Sequence, residues 1–180
     1  MSRLKELDRA ALSRQQEAIY QDILKSRNGR IEGPFKAWLH APEFADRAQK
    51  LGAFCRYDTS LPPRLSELAI LVTARWWQAD VEWRIHEPIA REAGLSAELI
   101  ASLQADRRPV FEHDDEAVVY DFARELFDLR RVSAATYKRA VEQFGEVAVV
   151  ELVGVLGYYA LVAMTLNVFE VEAPSSDGAG

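Results

Sequence analysis

Residues 64–94 read RLSELAILVTARWWQADVEWRIHEPIAREAG, and the helical period runs through them twice. Leu65, Leu68, Ala69, Val72 and Trp76 recur at intervals of three and four, which puts them on one face of a helix over Arg64 to Trp77. Gln78-Ala79-Asp80 interrupts the pattern. It restarts behind Asp80, a capping residue type, with Glu82 in the first turn where the helix dipole favours a carboxylate, and Gly94 supplies the left-handed closing residue. Two helices joined by so short a link pack as an antiparallel hairpin.

The same period extends in both directions, and alternating strand patterns with hairpin punctuation are missing, so the fold class is all-α, with six or seven helices. Upstream, Ser13 caps a helix through Ile19, Ile23 and Leu24 that Asn28-Gly29 stops, making residues 1–32 a helical arm. A short turn-like helix follows around Phe35 to His40, and Pro42 is suited to the first position of the next helix. Downstream, Ser96 starts AELIASLQ, and a further helix spans Asp114 to Arg130 with His113 in a capping position. Ser133 caps one that stops at Gly145, and an apolar helix from about Val147 to Val171 ends the fold. The small, Ser/Gly-rich residues 175–180 form a flexible tail.

A chain of 180 residues with 49% hydrophobic side chains builds one core without metal or disulfide staples. Its net charge of -6, with no Lys/Arg-rich stripe, argues against nucleic acid and against anionic membranes, which leaves small molecules and protein partners. Cys55 is the only cysteine, so no disulfide closes within the chain, and MSRLKELDRAALSRQQEA lacks the apolar run of a secretory signal. A cytoplasmic location is expected. Residues 152–169 (LVGVLGYYALVAMTLNVF) are uncharged and long enough to span a bilayer. Thr165, Asn167, the acidic flanks Glu146, Glu151, Glu170 and Glu172, and the lack of a basic anchor favour a core or subunit-interface helix.

Chemistry concentrates on the hairpin. Glu82 and His86 lie one turn apart on one helix face, and Glu67, 19 residues before His86, meets it from the preceding helix if the hairpin closes. Two carboxylates flanking an imidazole tune it to exchange a proton near neutral pH. An exposed Glu–His pair with no function has the same spacing, and a metal site using Glu82, His86 and His40 or His113 lacks an established ligand spacing. Of the adjacent Tyr158 and Tyr159, pointing about 100° apart, one at most lines a cavity. Cys55 reads as a small core residue, and Asn167 as a buried polar group needing partners.

Three stretches, LPPRLSELAILVTARWW (61–77), VEWRIHEPIAREAGLS (81–96) and VVELVGVLGYYALVAMTLNVFEV (149–171), resemble the carboxymuconolactone decarboxylase family within the alkylhydroperoxidase-D-like superfamily. Arg64–x–x–Glu67, the Glu82–Trp83–x–x–His86 block with Ala90, and the glycine-tyrosine helix carry the likeness, which covers residues 33–174. It implies a helical bundle assembling into dimers, trimers or hexamers. In the family's peroxidase branch, cysteines stand seven and four residues before the histidine; here those positions hold Ala79 and Glu82, so a disulfide-cycling peroxidase lacks its sulfurs. The decarboxylase branch implies loss of CO2 from an unsaturated acid or lactone without metal or organic cofactor. By that resemblance His86 donates the proton, Glu67 and Glu82 orient it, and Arg64 or Arg75 holds a carboxylate. Phe35, Trp38, Trp76 and Trp83 supply an apolar wall, with His40 and Tyr159 as further substrate contacts.

Overall fold

Ser13 accepts from the backbone N–H of Gln16 while the Gln16 side chain accepts from that of Ser13, a reciprocal cap that opens α1 (Arg14–Ser26). Proline at the first position starts each of α2 (Pro34–Trp38), α3 (Pro42–Ala53) and α4 (Pro63–Trp76). A π-helical turn, Phe54–Asp58, ends α3. Then come α5 (Asp80–Glu92), α6 (Ala97–Gln104), α7 (Asp114–Leu129) and α8 (Ala134–Phe169). The computed structural model describes residues 2–27, 29 and 31–171, which contain these eight α-helices and no strand. Asn28 and the tail 175–180 lie outside the described residues.

The central rod is α4. Residues Leu65 to Ala74 are buried without interruption, because α5, α6, α7 and α8 all pack against it. A helix enclosed on every side carries apolar residues all round, and α4 departs from this at Ser66, Glu67 and Thr73. Thr73 satisfies itself by donating to the Ala69 carbonyl at 2.7 Å. Glu67 needs a partner from a neighbouring helix.

Several local expectations change. The described residues hold eight α-helices where six or seven were expected. Asp80 is the first residue inside α5; Ala79 takes the N-cap position and offers no side-chain bond. His113 likewise precedes α7 without donating or accepting as a cap. Gly145 does break the helix as expected: its φ 81 and ψ 163 are non-helical, so α8 is two helical segments meeting at a kink, and the segment beyond it is the most apolar rod of the protein. Gly94 closes α5 as expected, with φ 101.

Beyond the kink α8 is half core and half surface. Leu152, Val155, Leu156, Tyr159, Val162 and Leu166 are buried, whereas Val147, Val150, Val153, Met164 and Val168 face outward. Asn167, expected to be buried, is exposed and donates to the Trp77 carbonyl at 2.8 Å. Among the described residues α8 is the single helix long and apolar enough to cross a membrane, and half of its most apolar window is buried against the protein's own core.

Candidate functional site

The α4–α5 link has three residues, with Gln78 forced into the left-handed region at φ 52 to turn the chain. So tight a reversal lays α5 along α4 and brings the two halves of the hairpin into register. His86 Nδ1 lies 2.7 Å from Glu67 Oε2 across the interface, and its Nε2 lies 3.1 Å from Glu82 Oε1 one turn back on α5. Relative exposure is 2% for His86, 5% for Glu67 and 3% for Glu82, so water does not dilute these contacts. Burial on its own lowers the imidazole's proton affinity. The carboxylates of Glu67 and Glu82 more than reverse this, and the pKa rises from 6.5 to about 9. At neutral pH the ring is therefore an imidazolium, hydrogen-bonded to Glu67 through Nδ1 and ion-paired with Glu82 through Nε2.

An aromatic stack covers this triad. Tyr159 stands edge-on to His86 with ring centroids 5.1 Å apart, and Tyr158 stands edge-on to Tyr159 at 5.3 Å. Both neighbours join one array despite pointing in different directions, because Tyr158 turns toward α3. Trp38 meets Tyr158 at 6.1 Å and Phe35 at 5.7 Å, and its indole N–H donates to Thr165 Oγ1 at 3.0 Å. Burial raises the Tyr159 hydroxyl well above its usual 10, with Glu82 the next contributor. The stack is seated by Gly52, where an added Cβ would sit 2.0 Å from the Tyr158 hydroxyl oxygen. Gly52→Ala is therefore expected to displace Tyr158 and destabilise the fold by about 1–3 kcal/mol. Replacing Tyr158 by leucine in the same chain should recover much of that loss in thermal melts.

Other expected site residues lie apart from the triad. The Arg64 guanidinium is engaged with Asp115 at 2.7 Å and with Glu116, tying α4 to the start of α7. Arg75 lines a small cleft of about 60 Å³ with Ala79, Asp80 and Trp83, beside the first turn of α5. Trp76 stacks on Phe127 at 5.3 Å and donates to Asp128 at 3.0 Å. It lies about 13 Å along α4 from Glu67 by the helical rise. Trp83 donates to Glu87 at 3.1 Å, and His40 is exposed at the end of α2. The aromatic wall is thus split: Phe35 and Trp38 lead to His86 through the tyrosines, while Trp76 belongs to the α4–α7 contact. Gly52 and Tyr158 lie 106 positions apart, and no periodicity pairs them. Only the glycine offered a signal, and it names no neighbour.

Residues 42–125 match the model of the carboxymuconolactone decarboxylase family. Comparison with curated proteins finds no match in sequence. Among solved structures, an uncharacterized peroxidase-related protein from Silicibacter sp. TM1040 aligns with a TM-score of 0.77 at 12% identity, over 97% of this chain and 92% of its own. The debrominase Bmp8, as a cysteine-to-alanine variant in complex with 2,3,4-tribromopyrrole, gives 0.76 at 12% identity, over 97% and 95%. A protein of unknown function from Agrobacterium tumefaciens, proposed as an antioxidant defence protein AhpD, gives 0.69 at 14% identity, over 81% and 100%. At these identities the likeness is one of fold.

Proposed function

We propose that this chain, whose residues 42–125 match the model of the carboxymuconolactone decarboxylase family, is a lyase acting on a small unsaturated carboxylic acid or lactone by acid–base chemistry. The observation that carries this reading is the buried imidazolium held between Glu67 and Glu82. In such a reaction the bond to the departing carboxylate breaks and CO2 leaves. The electron pair passes into the conjugated system, and the carbon regains a proton. Both N–H groups of His86 are engaged, so the proton leaves through a carboxylate. Moving it from Nε2 to Glu82 yields a neutral carboxylic acid beside the tyrosines and a neutral imidazole still donating to Glu67. Glu82 protonates the substrate carbon, and water restores the proton. The route calls on side chains alone, and a cytoplasmic homo-oligomer that binds a small molecule and neither nucleic acid nor membrane is part of this reading.

A thiol-based peroxidase reaction is disfavoured by the single cysteine. Cys55 is 1% exposed, and burial, with a further push from Glu151, raises its thiol to about 11, so the thiolate nucleophile is scarce. Unsaturated lactone carboxylates and organic hydroperoxides, offered in parallel and followed by absorbance, separate the two chemistries. Turnover of a lactone acid is expected in the wild type and in Cys55→Ser alike, falling as pH rises through about 9 when the imidazolium is lost. Hydroperoxide turnover that vanishes in Cys55→Ser would overturn the proposal.

A further inference from the structure

Beyond the kink at Gly145, α8 turns one apolar stripe away from the core. Gly157 stands at its middle, with Gly154, Val150 and Val147 before it and Leu161, Met164 and Val168 after it. Successive members are alternately three and four residues apart, so at about 100° per residue they keep to one face, with the spacing of a coiled-coil seam. None is buried, and Val147, Val150 and Val168 keep 69%, 72% and 54% of their surface. A Cβ added at Gly154 or Gly157 meets nothing within 4 Å, so the middle of the stripe is open. The stripe offers roughly 600 Å² of apolar surface, the upper end of what a monomer leaves uncovered. With Phe54 and Tyr57, exposed on the π-helical turn that packs against α8, it approaches the ~800 Å² per partner of a standard interface.

The order of the residues points to what covers it. Counting outward from Gly157, Gly154 answers Leu161, Val150 answers Met164 and Val147 answers Val168, so the stripe matches itself when reversed. A two-fold interface requires such self-complementarity, because each copy presents the same patch to the other. We propose that two copies of this chain pair antiparallel through the stripe, with the axis at Gly157 and Leu161 of one copy seated over the partner subunit's Gly154. The charges favour the same direction. Arg3 is held at the C-terminal end of α8, where its guanidinium donates to the Val168 carbonyl at 3.0 Å and pairs with Glu170 at 2.6 Å. Glu146 is exposed at the opposite end of the stripe. Antiparallel pairing brings Glu146 to Arg3 of the partner subunit, whereas parallel pairing sets the two Glu146 carboxylates side by side. A bilayer fits less well, because this part of α8 carries Glu146 and Glu151 and no Lys or Arg to meet headgroups. The pairing gives the homo-oligomer of the functional reading its contact and rests on no step of the lyase chemistry.

Light scattering of the full chain, with Gly157→Glu beside the wild type, tests the pairing. The wild type is expected to be a dimer at micromolar concentration. Gly157→Glu is expected to fold, since its side chain enters open space and glutamate is the better helix former. It should weaken the dimer about a hundredfold or more, because two carboxylates then meet on the axis. The direction is read from a nitroxide on Val168→Cys, the native thiol being buried. Val168 lies about 16 Å along the helix from Gly157, so the two labels stand roughly 30 Å apart in the antiparallel pair and under about 15 Å in a parallel one. A monomeric wild type overturns the proposal, and if that monomer sediments with phosphatidylcholine vesicles the stripe is a bilayer contact instead. A dimer that Gly157→Glu leaves intact overturns the assigned interface, and a short distance between labels overturns the antiparallel arrangement. Lactone turnover separates the two readings: its absence with the dimer intact defeats the lyase reading alone, and a monomer that turns over lactone defeats this proposal alone.

Discussion

His86→Ala is expected to cost about 3–5 kcal/mol of folding free energy, the usual consequence of removing one partner from a buried charge cluster. For a chain of this size that corresponds to a melting point lower by roughly 6–20 °C. The cost has two sources. Glu67 and Glu82, each at least 95% buried, would face each other with no cation between them, and the ring that Tyr159 packs against would leave a void. The pH dependence of stability should change as well. In the fold the imidazole holds its proton up to about pH 9, against 6.5 in an unfolded chain. Between those values the folded protein carries a proton that the unfolded chain has released, so the stabilisation is complete below about 6.5 and is lost as pH rises through about 9. At about 1.4 kcal/mol per pH unit, the full effect is about 3–4 kcal/mol. Denaturant titrations across this range should show the decline in the wild type and none of it in His86→Ala. A wild-type stability that stays flat from pH 6 to 10 would mean that the ring is neutral in the fold.

Glu82→Gln is expected to lower turnover by about 10²–10⁴-fold, the range for loss of a positioned proton donor, while melting close to the wild type. The glutamine carbonyl still accepts from His86 Nε2 at the 3.1 Å spacing seen for the carboxylate, so the packing survives, but an amide relays no proton. Loss of kcat with little change in KM would mark a group acting in the transition state. Glu67→Gln keeps the outer carboxylate and should lose less. If the two variants lose activity equally, Glu82 has no special place in the relay, and if neither loses any, the triad is a structural ion cluster.

The hairpin was legible because each of its helices is phased by its own apolar residues and the link between them is too short to allow another arrangement. Nineteen residues between Glu67 and His86 then leave little freedom. Arg64 shows where such reasoning ends. Three positions before Glu67, it points to a neighbouring sector of α4, and there Asp115 and Glu116 of α7 capture it. Periodicity names a face of a helix and leaves open which neighbour covers it. The same gap divides the tryptophans, since nothing in the spacing of Trp76 and Trp38 tells that one meets Phe127 and the other Tyr158. Gly145 was legible as a stop because φ 81 with ψ 163 is backbone that glycine adopts without a Cβ clash, and the helix breaks there.

The lone sulfur of Cys55, enclosed beside α8 and held as the thiol, has a practical corollary for spectroscopy. Maleimide dyes and nitroxide labels meet a silent background on the native surface. A cysteine engineered at Val150 or Val168, both already facing solvent, would be the sole reactive handle, and distances between such handles could be measured without stripping the protein of any residue it owns.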